Sequence, residues 1–199
     1  MNRPDGGKVF NGQYPGPWIE ACWGDTVEVT VENHLKYNGT AIHWHGVRML
    51  NGFEYDGVNA VSQCAIAPGD HFTYKFRVTQ YGTSWYHSHY SLQYADGLAG
   101  PLTFHGPHSD NFDVALDPYL FGDWSHNSAF EDYSAELHHP PAVMKTVILN
   151  GRGTSMQKAC DLTRLMSQAS TTAPTTPTLT AMAAIKSNRL RSMSRSSRR

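Results

Sequence analysis

The chain has 199 residues, 40% of them hydrophobic, which is enough for one large or two small folded domains. Its formal net charge is -1 at pH 7, but the acidic residues are concentrated before residue 152, and this acidic body excludes nucleic acid as an expected partner. No run of about 18 apolar residues is present, so no membrane helix is expected, and the opening MNRPDGGKVFNG lacks the apolar segment of a signal peptide.

Alternating apolar residues predict several strands in the first half of the chain. Between residues 26 and 32, Val27, Val29 and Val31 alternate with polar residues, as in a half-buried strand, and residues 72–78 show the same period of two. Turn residues separate these segments, which favours an antiparallel sandwich or barrel. Further extended stretches are predicted at residues 41–45, 83–89, 98–104, 113–124 and 143–149, with a short helix or loop between the last two.

The alternating pattern pauses at residues 106–111, GPHSDN, where we place a domain boundary. We predict a first domain over residues 1–106, the start of a second β domain over 107–153, and a low-complexity basic tail over 154–199. The tail contains no Gly, aromatic residue or His, which is typical of disorder. Our hypothesis is that the tail is foreign to the preceding domain, as a frameshift or an unspliced intron would produce; an intact reading frame in sequenced transcripts would contradict it.

Two His-x-His sequences indicate a metal site. AIHWHG contains His43 and His45, and GTSWYHSHYSLQYADGLAG contains His87 and His89. Because successive side chains of a strand point to opposite faces, both histidines of each pair are expected on one face. Neutral imidazole suits copper, zinc, iron and nickel, and the scarcity of nearby carboxylates argues against magnesium or calcium. The spacing allows one ion or two.

The other candidate residues have more than one interpretation. Asp56-Gly57 follows the first histidine pair, so Asp56 is either part of a plain turn or a proton donor near the site, whereas Asp96-Gly97 is predicted as a turn. Cys22, Cys64 and Cys160 lack metal-binding spacing, and their odd number leaves at least one free or paired outside the chain. The remaining histidines are predicted to be solvated: His34, His71, His105, His108, His126, His138 and His139.

These motifs resemble those of the multicopper oxidase family, in particular the laccases of fungi. HWHG at residues 43–46, followed by Asp56-Gly57, resembles the first copper signature of the family, and residues 82–100 resemble the second. The segments NGQYPGPWIEACWGDTVEVTVEN, SQCAIAPGD, FGDWSHN and ILNGRG are also similar to laccase sequence, so that the resemblance covers residues 7 to 153.

The resemblance implies an all-β fold, a cupredoxin-like Greek-key β-sandwich, followed here by an incomplete second β domain and a disordered tail. It implies copper as the cofactor, with His43 as a ligand of a type 2 copper and His45, His87 and His89 as ligands of a type 3 pair. Asp56 matches the catalytic carboxylate that helps to deliver protons to dioxygen.

Parts of the family pattern are absent from this sequence. The HPxHLHGH-like and HCHxxxH-like signatures do not occur, so half of the cluster ligands and all type 1 copper ligands are missing and are expected from an absent C-terminal domain. Cys64 matches a cysteine that bridges to the C-terminal region in fungal laccases. We interpret the chain as a copper-binding fragment, inactive alone, of a laccase-like oxidase that couples one-electron oxidation of phenolic substrates to reduction of O2 to water.

An alternative is a non-enzymatic or oligomer-dependent copper-binding cupredoxin module, in which another chain supplies the missing histidines. Copper held at a subunit interface in a stable oligomer would favour that alternative. Because the substrate-contacting loops of the family lie in the absent parts, ascorbate oxidase or ferroxidase activity also stays open for the parent enzyme. The resemblance implies a secreted parent.

Overall fold

The structure, a computed structural model, describes residues 7–144, 146–155 and 182–187. Within this part, helix α1 spans Ala129–Glu136, a single 3-10 turn spans Phe53–Tyr55, and none of the helices has the length and apolar character needed to cross a membrane. The strands are β1 (Val9–Phe10), β2 (Ile19–Cys22), β3 (Thr26–Asn33), β4 (Ile42–His45), β5 (His71–Arg77), β6 (Gly82–Ser88), β7 (Ala99–His105), β8 (Phe121–Trp124), β9 (Thr146–Leu149), β10 (Arg152–Ser155) and β11 (Met182–Ser187).

Two four-stranded sheets make up the first unit of the molecule, which we define as strands β1 to β7 with β11. One sheet has the order β1-β11-β3-β5 and the other has the order β2-β7-β6-β4. Strands β3 and β5 pair antiparallel, whereas β2 runs parallel to β7. The apolar faces of the two sheets enclose one core, which confirms the all-β sandwich predicted from the alternating residues.

The core lies between β3 on one sheet and the histidine-bearing strands on the other. Trp44 of β4 and Tyr86 of β6 are completely buried. Tyr74 of β5 links the sheets, because its hydroxyl oxygen accepts a hydrogen bond of 2.8 Å from the backbone N–H of Ile42 in the edge strand β4. Burial raises the pKa of Tyr74 to about 12, so this phenol stays protonated at neutral pH.

Eight residues of the predicted disordered tail lie in strands: residues 154–155 at the end of β10 and residues 182–187 in β11. Strand β11 pairs antiparallel with β3, from Ala183 opposite Asn33 to Ser187 opposite Val29, and parallel with β1. Without β11, the N–H and C=O groups along that edge of β3 would lack partners, and this long-range pairing has no local sequence signal. The other predicted tail residues beyond 155 lie outside the described residues.

A second unit comprises a three-stranded antiparallel sheet, of order β10-β9-β8, and helix α1. The helix begins with a capping box: the Ser128 hydroxyl accepts from the N–H of Glu131, and the Glu131 carboxylate accepts from the N–H of Ser128. The strand predicted over 113–124 is confirmed only at its end, since Pro118 cannot donate a ladder hydrogen bond.

Candidate metal centre

The pairing of β4 with β6 brings the two histidine pairs together. His43 lies directly opposite His87 in an antiparallel register, so these residues and His45 share the sheet face that points away from the core. His89 follows the end of β6, where its backbone N–H donates to the carbonyl of Ala41 at 2.8 Å. All four predicted ligands are therefore at one end of the same sheet.

The four imidazole rings form a cluster centred on His43. The ring centroids of His45, His87 and His89 lie 5.6, 5.4 and 5.5 Å from that of His43. Nδ1 of His45 and Nε2 of His87 are 3.2 Å apart. One nitrogen from each of His43, His45 and His87 lies within 4.8 Å of the others, while His89 lies outside this group of three. Three nitrogens can thus converge on one ion, with a fourth ring beside them.

Two backbone carbonyls orient the rings. Nδ1 of His43 is 2.8 Å from the carbonyl oxygen of Asp56, and Nδ1 of His87 is 2.9 Å from that of Ser88. Because a carbonyl oxygen only accepts, each Nδ1 carries the proton in the neutral ring. The Nε2 atoms of His43 and His87 then carry the lone pairs that a metal ion would use, and that of His87 points to Nδ1 of His45 in this structure.

Burial keeps His87 uncharged at neutral pH. Desolvation is the main cause that lowers the pKa of His87 to about 4, and the neighbouring His43, His45 and His89 add to the effect. The hydrogen bond to Ser88 acts in the opposite direction but is weaker. A neutral imidazole is the form that binds a metal ion, so this ring needs no deprotonation at pH 7.

The loop that contains Asp56 and Gly57 passes close to the backbone of β4, and this brings Asp56 to the histidine cluster. Gly57 has a φ of +76°, and a Cβ at this position would lie 1.8 Å from the carbonyl oxygen of Ile42. Only glycine allows the loop to cross β4 here, and the crossing places the Asp56 carbonyl against His43. The Asp56 carboxylate lies 3.4 Å from Nδ1 of His43 and is partly open to solvent.

The model of the family described as "Multicopper oxidase" matches residues 2–109. The chain belongs to the multicopper oxidase family. It is 58% identical over 149 residues to a laccase of Arthroderma benhamiae, covering 75% of this chain and 22% of that protein. Identity to dihydrogeodin oxidase of Aspergillus terreus is 53% over 157 residues, covering 76% and 26%.

A solved multicopper oxidase shares the fold. The crystal structure of laccase from Botrytis aclada matches with a TM-score of 0.71 and 50% identity, covering 76% of this chain and 28% of that one. The predictions of the multicopper oxidase family and of similarity to fungal laccases are therefore confirmed. The chain spans about a quarter of the length of these relatives.

The donors in this multicopper oxidase chain suit copper. The cluster offers imidazole nitrogens, two of them held by carbonyl hydrogen bonds in the orientation that exposes Nε2. Cys22 and Cys64 are exposed free thiols, and neither joins the histidine group among the described residues. Cys160 lies outside the described residues.

Two buried polar residues that follow His89 were missed by sequence reasoning. Gln93 and Asp96 are almost completely inaccessible to solvent. Asp96-Gly97 does lie in the predicted turn, but the Asp96 carboxylate also pairs with Lys8 and accepts a hydrogen bond of 2.7 Å from the N–H of Ala129 at the start of α1. It joins the histidine-bearing loop to the second unit.

The structure confirms the solvated histidines. Each one predicted to be solvated is exposed: His34, His71, His105, His108, His126, His138 and His139. None of these exposed histidines belongs to a His-x-His pair, and this distinguishes them in sequence from His43, His45, His87 and His89.

Proposed function

We propose that this chain is the part of a laccase-like multicopper oxidase that supplies half of the histidine ligands of its copper cluster. The observation that carries the proposal is the register of β4 with β6, which sets Nδ1 of His45 and Nε2 of His87 3.2 Å apart. In this proposal His43 binds a type 2 copper, and His45, His87 and His89 bind a type 3 pair. Copper bound there would supply one-electron redox chemistry and the reduction of O2 to water.

Asp56 is proposed as the proton-transferring residue. Its carboxylate is near His43 and 27% exposed, so it can exchange protons with solvent while staying beside the cluster. Its backbone carbonyl has a separate role, because it holds the His43 ring through Nδ1. Replacing the side chain therefore removes the proton carrier but leaves this ring contact.

The parent enzyme is proposed to oxidise phenolic or similar reductants and to be secreted. The remaining histidines and the type 1 copper ligands are proposed to come from a further domain of that parent. Electrons from a reductant then have no entry point within this chain, so the chain by itself should bind copper without oxidising phenols.

Copper retention tests the binding proposal. The purified full chain is loaded with Cu²⁺, desalted and analysed for metal by mass spectrometry; we expect at least about one copper per chain. His87→Ala should lower the retained copper strongly, whereas His71→Ala, which removes an exposed histidine of β5, should not. Equal copper retention in both variants would contradict the proposed site.

Optical spectra and a phenol assay test the incomplete-enzyme part of the proposal. We expect no blue absorption and no oxidation of a phenolic dye under oxygen, because the described residues offer no thiolate ligand at the cluster. Dye oxidation that is abolished by His87→Ala would show that this chain turns over alone.

A further inference from the structure

Gln93 is a buried amide at the centre of a small polar network. Its side-chain oxygen Oε1 accepts hydrogen bonds from the hydroxyls of Thr40, at 2.8 Å, and Ser88, at 2.7 Å. Its Nε2 donates to the carbonyl oxygen of Gly39 at 2.8 Å. Gln93, Thr40 and Ser88 are all fully buried, so water cannot replace the two hydroxyl partners of Oε1.

The partners of Gln93 belong to both histidine-bearing segments. Ser88 separates His87 from His89, and Thr40 lies just ahead of the strand that carries His43. One side chain therefore ties together the segments on which all the proposed ligands are placed.

Strand β4 needs such a tie because it is short and lies at the edge of its sheet. It has four residues, and β6 is its only neighbour in that sheet among the described residues. A slip of one residue in this pairing would turn the histidines to the opposite face. The bonds from Gln93 lie at the Ile42–Ser88 end of the pairing and oppose such a slip.

We infer that Gln93 is a positioning residue that keeps the two His-x-His segments aligned for metal binding without contacting the metal itself. The inference rests on the proposed copper site. The path to the nearest ligand is short, because Ser88 accepts the Nδ1–H hydrogen bond of His87 through its carbonyl while its hydroxyl is held by Gln93. Release of Ser88 would free the His87 ring to adopt its other tautomer.

The test compares Gln93→Met with a matched control. Methionine keeps the length of the side chain but forms none of the three hydrogen bonds. The control is Asn33→Leu in β3, which also removes a buried amide with three hydrogen bonds, to Leu35, Asn38 and Ile66, on the opposite sheet. Both variants should lose comparable stability, so that stability alone cannot explain a difference in metal binding.

Two readouts decide the inference. The first is titration with Co²⁺, followed by its visible absorption. The Co²⁺ affinity of Gln93→Met should be lower by about tenfold or more, as is typical when a residue that supports a metal ligand is replaced. The affinity of Asn33→Leu should be unchanged. In the metal-free proteins, ¹⁵N spectra of the histidine rings should show one His87 tautomer in the wild type and in Asn33→Leu, and both tautomers in Gln93→Met.

The inference would be overturned if Gln93→Met bound Co²⁺ with an affinity within about twofold of the wild-type value and also showed a single His87 tautomer. A wild-type chain that binds no Co²⁺ would instead count against the proposed site, and the tautomer spectra would still decide the role of Gln93. If Gln93→Met does not fold, Thr40→Val replaces it, because it removes one hydroxyl that donates to Gln93 and keeps the Gln93 bonds to Ser88 and Gly39. The same two readouts then apply, with a smaller expected loss of affinity.

Discussion

The two units of the molecule differ in how completely their sheets are covered. In the first unit the facing sheets bury Trp44, Tyr74 and Tyr86 completely. In the second unit one face of the sheet is covered, but the other leaves Phe121 74% exposed, Val147 48% and Leu149 44%. In the part of the chain that the structure describes, the second unit therefore has strands and a capped helix but no sheet packed over its exposed apolar face.

This difference shows that forming a sheet and stabilising it have different requirements. Short alternating segments and turns suffice to place β8, β9 and β10 beside one another, yet most of the free energy of a sandwich comes from burial between sheets. The relatives are about four times longer than the matched part of this chain. We expect the first unit to dominate the stability of the chain, and the following substitutions test this in order of effect.

The largest difference is expected between two aromatic truncations. Trp44→Ala should lower the free energy of unfolding by about 4 kcal/mol, because it opens a cavity in a fully packed core. Phe121→Ala should change it by less than about 0.5 kcal/mol, since this ring is already mostly in water. Urea denaturation followed by tryptophan fluorescence measures both values, and similar losses in the two variants would contradict the comparison.

A glycine pair gives the next largest difference. Gly57→Ala should cost about 3 kcal/mol, because the new methyl group would meet the Ile42 carbonyl and the φ of +76° disfavours any L side chain. Gly122→Ala in β8 meets no atom within 4 Å and should stabilise by about 0.5 kcal/mol. Thermal melts distinguish the two, and a tolerated Gly57→Ala would mean that the loop does not need to cross β4 so closely.

The smallest expected effect is a decrease in the free energy of unfolding at low pH, caused by His87 in the first unit. The pKa of His87 is about 4 when folded and near its ordinary value of 6.5 when unfolded. As the pH falls from 6.5 to 4, the unfolded chain therefore gains a proton that the folded chain does not, and stability decreases. Allowing for solvent screening, the loss is about 2 kcal/mol. Urea melts of the metal-free chain at pH 7 and 4.5 should show it, and His87→Gln should reduce it; an equal pH dependence in that variant would assign the loss to other groups.

Much of the first unit could be predicted from the sequence because its signals are local. The alternation of Val27, Val29 and Val31 identified β3, and the spacing of the first histidine pair agrees with the position of His43 and His45 on one face of the sheet. The short β2 was not predicted, since four residues with a single buried side chain carry no clear alternation.

The features that the sequence did not reveal depend on partners distant along the chain. No local sequence pattern predicts that His43 lies opposite His87, because the register of two strands depends on the whole hydrophobic pattern and on the turns. The roles of Gln93 and Asp96 depend on Thr40 and Lys8, which lie far away in the sequence. Asp96 was therefore interpreted only as part of a turn, and Gln93 was not singled out.

Strand β11 also determines the order in which the first unit can be completed. It pairs with β3 and is the only sheet neighbour of β1 among the described residues, yet it follows both strands by most of the chain. During synthesis from the N-terminus, the β3 edge must stay unpaired until residues 182–187 have left the ribosome, and such late, non-local pairing is slow. The folding rate of this unit, and its exposure to edge-to-edge association in the meantime, therefore depend on a segment that follows the other strands of the unit by many residues.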